Sequence, residues 1–149
     1  MAQKDGSPMA QLENTLEEYF AQKAPYQLPH DAKEAIVRFA PWLVIIFTAL
    51  SLPVIFGALA LTSLFSPFAY AAGVSMYWII PTIVLVISVI FNLLALPGLF
   101  HRSMSGWRYT YYGELLSILY SLLSGNIVGA LIGAIIGFYI LFQVKSLYK

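Results

Sequence analysis

Cysteine is absent from the chain, which excludes disulfides, thiolate nucleophiles and cysteine-held zinc. Charge is scarce and unevenly placed. Charged residues make up 10% of the sequence against 60% hydrophobic, where soluble domains carry about 25% charged residues. No Asp, Glu, Lys, Arg or His falls between Phe39 and Phe100, and a soluble chain of this size has no second domain under which to hide such a run. The net charge is +1, without the basic stripe that phosphate binding needs, which argues against nucleic acid as a partner. No GxxxxGK[ST], HExxH or GxSxG motif occurs, and His30 and His101 lack metal-ligand spacing. No catalytic residue, metal site or cofactor is therefore assigned, and enzymatic activity is not expected. The first thirty residues or so also lack the short apolar core of a cleavable signal peptide, so the first crossing is expected to remain as an uncleaved anchor.

What is present is apolar length. A bilayer crossing needs about 20 apolar residues, and the pattern predicts an all-α integral membrane bundle of four transmembrane helices. The crossings are expected at about 40–64, 77–100, 109–123 and 126–144. Two prolines fall in the first crossing region: Pro41 near the entry, and Pro53 in the middle, where a kink is expected. The uncharged, aromatic "FSPFAYAAGVSM" reads as the first turn and "HRSMSGWR" as a short basic loop. Residues 32–149 thus form the membrane domain, and 1–31 a cytoplasmic N-terminal segment.

That segment carries a short amphipathic helix at about 8–23. Ser7-Pro8 is a capped start. Met9, Leu12, Leu16, Tyr19 and Phe20 share helical spacing, with Glu13, Glu17, Glu18 and Lys23 elsewhere on the wheel. An acidic polar face argues against binding anionic lipid. Two roles fit: a cap on the chain's own membrane domain, or a docking helix for a partner. Asp31 is placed to cap the helix that follows.

Basic residues set orientation. With four crossings, Lys33, Arg38, Arg102, Arg108, Lys145 and Lys149 fall on one side, and the two opposite loops carry no charge. Arg38, Arg102, Arg108 and Lys145 are the orientation-setting set. They place both termini in the cytoplasm. Trp42, Trp107, Tyr109, Tyr111 and Tyr112 suit the inner interface, and Phe65, Phe68, Tyr70, Tyr77 and Trp78 the outer one.

Within the last crossing region "SGNIVGALIGAIIGFY" repeats glycine at every fourth position: Gly125, Gly129, Gly133 and Gly137. Each would cost about 1 kcal/mol against alanine in a soluble helix. In lipid, where close contact rather than hydrophobicity joins helices, such a stripe reads as a packing face. Leu131, Ile135, Phe138 and Phe142 are then left for lipid or bulkier neighbours. The third crossing offers Thr110, Gly113, Glu114, Ser117, Ser121 and Ser124 as a small polar stripe. Weaker stripes are Pro81, Ser88, Asn92 and Ala95 in the second crossing, and Thr48, Ser51, Ala58 and Thr62 in the first.

Glu114 is the one charged residue inside an expected crossing. Helical rise places it roughly 10 Å from the inner interface, with Asn92 at about 12 Å. Glu114, Asn92, Thr48 and Tyr139 can thus form an intramembrane polar layer, with Asn92 holding Glu114. An embedded carboxylate points to ion or proton handling, or to structural stabilisation of the bundle. A tightly packed interior without an obvious substrate cavity is expected.

The stretch "SGNIVGALIGAIIGFYILFQVKSLYK" following "GW" resembles short four-helix membrane proteins of bacteria with no assigned activity. The resemblance implies a bacterial inner membrane and transfers no functional residue. The function expected is a structural or accessory membrane protein. Its partners are the lipid bilayer and either a second copy or another membrane protein. The alternative is a small channel or transporter subunit built on the polar layer around Glu114.

Overall fold

The computed structural model describes residues 6–73 and 75–149. The side chains of Ala69, Ser75, Met76 and Trp78 fall outside the described set, and with them the interfacial assignment of Trp78. Five helices follow one another: α1 (Pro8–Glu17), α2 (His30–Ala71), α3 (Ser75–Phe100), α4 (Met104–Leu123) and α5 (Ile127–Val144), with no strand among the described residues. Three stretches are long and apolar enough to cross a membrane: His30–Phe68, Ile79–Phe100 and Ile127–Leu147. α4, with Arg108 and Glu114, is not among them.

Local chemistry explains the boundaries. The Ser7 hydroxyl accepts from the Ala10 N–H at 3.3 Å and Pro8 opens α1. A single π-helical turn, Glu18–Gln22, follows. α2 starts behind Pro29 without a side-chain cap. Asp31 lies inside its first turn rather than capping it, where its charge suits the helix dipole. α2 continues past Pro41, Pro53 and Pro67 to Ala71, so most of "FSPFAYAAGVSM" is helix. The reversal is short, with Gly73 at φ 70°.

The two remaining turns share one design. Behind α4, Gly125 takes φ 76°. The Asn126 N–H reaches the Ser121 carbonyl and the Gly125 N–H the Leu122 carbonyl, the paired bonds of a Schellman cap. Behind α3 the same bonds run from Ser103 to Gly98 and from Arg102 to Leu99, but the left-handed position is held by Arg102 at φ 53°. The expected loop "HRSMSGWR" therefore shrinks to His101–Ser103. Ser103 caps α4 by accepting from the Gly106 N–H, and Trp107 and Arg108 lie inside the helix.

Packing is tightest between α3 and α4. A Cβ on Gly98 would strike the Gly106 backbone, and one on Gly106 would strike Gly98 and Leu99, so the two backbones are in contact. Further along, the Ser88 hydroxyl lies 2.9 Å from that of Ser117, and both donate to the Gly113 carbonyl, at 3.2 and 2.9 Å. Asn92 lies against Gly113 while its amide donates to the Ser88 carbonyl at 3.0 Å. The small polar stripes of the second and third crossings thus face each other.

The core lies at the end of the bundle where the termini meet. It comprises Val37, Ala95, Leu99, Trp107, Tyr111, Phe138, Phe142, Val144 and Tyr148. Trp107 and Tyr111, read as interfacial, are fully buried and stack at 5.5 Å with planes 5° apart. The Trp107 indole N–H donates to the Leu141 carbonyl at 2.8 Å. Phe138 and Phe142, left for lipid or bulkier neighbours, turn inward onto this pair. Aromatic rings satisfy either environment; here the indole N–H finds its acceptor inside.

Candidate functional site

Three separate segments close one end of the bundle, held by residues at and just beyond the end of α5 and by the α3–α4 turn. Gln143 is buried. Its amide donates to the Phe20 carbonyl at 3.0 Å, and its carbonyl accepts from the Leu28 N–H at 3.4 Å. A buried amide has four bonding sites, and here both its ends are committed to the N-terminal segment. Tyr139 donates to the Tyr26 carbonyl at 2.6 Å. Lys145 pairs with Glu13 at 2.9 Å and Glu17 at 2.6 Å, and its ammonium sits 4.9 Å from the centre of the Trp107 ring. The acidic polar face that periodicity gives α1 thus meets a cation through Glu13 and Glu17. Leu16, Phe20 and Ala21 pack beside them on the core, with Phe20 6.1 Å from Phe138. The N-terminal segment is thus a cap on its own bundle.

The chain's last residues complete the closure. The Met104 N–H donates to the Lys149 carbonyl at 2.8 Å, and the Lys149 N–H to the Arg102 carbonyl at 2.9 Å. Arg102 also pairs with Glu34 at 2.5 Å, tying α2 to the same corner. These bonds hold Arg102 in its unusual backbone conformation, which costs a non-glycine residue on the order of 1–3 kcal/mol. Tyr148 is buried here, and burial pushes its phenol up to about 12. A cavity of about 400 Å³ remains in this corner, lined among others by Glu17, Lys33, Gln143, Lys145 and Tyr148.

The expected polar layer is divided. Asn92 faces Gly113, whereas the Glu114 carboxylate lies over Gly137 of α5. No hydrogen bond joins any two of Glu114, Asn92, Thr48 and Tyr139 among the described residues. Thr48 offers its carbonyl to Ser51 on its own helix, and Tyr139 is spent on the connector. Adjacent positions on α4 point about 100° apart, so Gly113 can meet α3 while Glu114 meets α5. Spacing along the chain does not give direction around the helix.

The four zipper glycines also take separate roles. Gly125 belongs to the turn before α5. A Cβ on Gly129 would strike Asn126, the residue capping α5, and one on Gly133 would meet nothing within 4 Å. Gly137 alone receives another helix, through Glu114. Of the orientation-setting bases, Arg102 and Lys145 are ion-paired, and Arg38 and Arg108 are exposed. Gln143 was missed by sequence reading; a lone amide within the apolar run "GFYILFQV" was its signal.

A second cavity, about 640 Å³, lies between the later part of α2 and the start of α3, with Tyr120 of α4 on its wall. α2, at about 63 Å by helical rise, outruns α4 at about 30 Å, so its last turns lack the neighbours that fill the opposite end.

Comparison with protein-family models, with curated proteins and with solved structures gives no match.

Proposed function

We propose that this chain is a small polytopic protein of a bacterial inner membrane, with four crossings and both termini cytoplasmic, and that its role is structural or accessory. The observation that carries the role is the sealed end: α1, the connector and the final residues are bonded across the mouth of the bundle through Gln143, Lys145 and Lys149. Supporting the topology, Arg102, Lys145 and Lys149 gather at this end, as the excess of bases in cytoplasmic loops requires. α4 is the least apolar of the four long helices, but it runs between α3 and α5 and is mostly screened by them. The outer face of α5, open at Gly133, and the long exposed face of α2 are surfaces for a second copy or another membrane protein.

The second reading is a channel or transporter subunit. It is favoured by Glu114, whose carboxylate has no hydrogen-bond partner among the described residues. Proton, sodium and potassium flux into liposomes separates the two. A structural or accessory protein gives no flux above protein-free vesicles. Flux that Glu114→Gln abolishes establishes the second reading instead.

A further inference from the structure

We infer that residues 8–28 lie in the cytoplasmic interfacial layer of the bilayer, with Leu12, Tyr19 and Tyr26 turned toward lipid, and that this contact does not require anionic lipid. The inference rests on the membrane reading above. Depth is the first argument. The Tyr26 carbonyl bonds Tyr139 and the Phe20 carbonyl bonds Gln143. Tyr139 lies about 12 Å inside the end of the apolar stretch Ile127–Leu147 by helical rise. The connector therefore runs beside the last turns of an apolar helix instead of standing above it.

Side-chain placement is the second argument. With Leu16 and Phe20 packed on the core, Leu12 and Tyr19 flank that contact, 39% and 60% exposed, and Tyr26 is 69% exposed. Tyrosine at the headgroup level keeps its ring in the apolar layer and its hydroxyl wet. Charge is the third. Glu13 and Glu17 share Lys145, and Glu18 pairs with Lys23 at 2.6 Å. Every acid of the segment among the described residues is therefore paired. A single net negative charge remains on this face, and no unpaired basic cluster demands an anionic surface.

The absence of cysteine makes single-cysteine spin labelling direct. Tyr19→Cys, Tyr26→Cys, Asn14→Cys on the opposite flank of α1 and Leu50→Cys on the exposed face of α2 are labelled in two kinds of vesicle. One is phosphatidylcholine alone, the other phosphatidylcholine with phosphatidylglycerol. Labels at positions 19 and 26 should collide with oxygen in preference to a water-soluble nickel chelate in both kinds, as at position 50, with the reverse at position 14. Water-like labels at 19 and 26 beside a lipid-like label at 50 overturn the inference and leave the membrane reading standing. A water-like label at 50 overturns the membrane reading itself. Lipid contact at 19 and 26 seen only with phosphatidylglycerol overturns the charge argument.

Discussion

Gly98 and Gly106 meet backbone to backbone where α3 hands over to α4. A methyl group on either has nowhere to go, because the atoms in its way are main chain. Gly98→Ala and Gly106→Ala should each lower stability by about 1–3 kcal/mol or more, the usual cost of overpacking. Gly133→Ala, with open space around the added carbon, should leave stability nearly unchanged. Thermal unfolding of the three variants in one detergent checks the contrast.

Gly137 is a different case, since its neighbour is the end of a flexible side chain. Gly137→Ala forces the Glu114 carboxylate aside, and shortening that side chain should restore the room. A double-mutant cycle of Gly137→Ala with Glu114→Ala should show a coupling of about 0.5–3 kcal/mol in the relieving direction. Additive effects would mean that the two side chains do not meet.

Lys145 and Lys23 carry the same charge but differ in setting. The Lys145 side chain is mostly shielded and holds two carboxylates, whereas the Lys23–Glu18 pair is open to solvent. Lys145→Met removes two charged hydrogen bonds, each worth about 1.5–3 kcal/mol, and leaves Glu13 and Glu17 facing one another. Amide exchange in α1 should accelerate at least about tenfold, the factor for 1.4 kcal/mol. Lys23→Met should change it little, as exposed pairs contribute about 0–1 kcal/mol.

Tyr148 gives the closed end a pH dependence. Burial raises its phenol from an ordinary value near 10 to about 12, so the folded state favours the neutral form. Its contribution is complete below pH 10 and is lost as the pH rises from about 10 to about 12. The stability difference between the parent and Tyr148→Phe should be constant below that window. Within it the parent should lose stability faster than the variant.

The helical, apolar organisation was legible because it depends on composition along the chain: nothing charged between Phe39 and Phe100, and serine, asparagine and glycine at spacings of three and four. Ser88 and Asn92 do meet Gly113 and Ser117. What escaped was choice of neighbour. A repeat within one helix drew attention to Gly125, Gly129, Gly133 and Gly137, yet backbone contact falls on Gly98 and Gly106. Their match depends on the register of a hairpin whose turn uses Arg102 in a glycine-like conformation. The partner of Glu13 and Glu17 escaped for a related reason. Periodicity sorts side chains by polarity, and a half-buried lysine 128 and 132 positions away makes a polar face an inner face.

That separation has a consequence for assembly. α1 is made well before the glutamine and lysine that fasten it, which lie at and just beyond the end of α5. The α3–α4 hairpin can zip up on its own residues as soon as it is made. The lid must wait, its tyrosines and leucines unclaimed, until α5 has been made; the seal therefore forms after the hairpin.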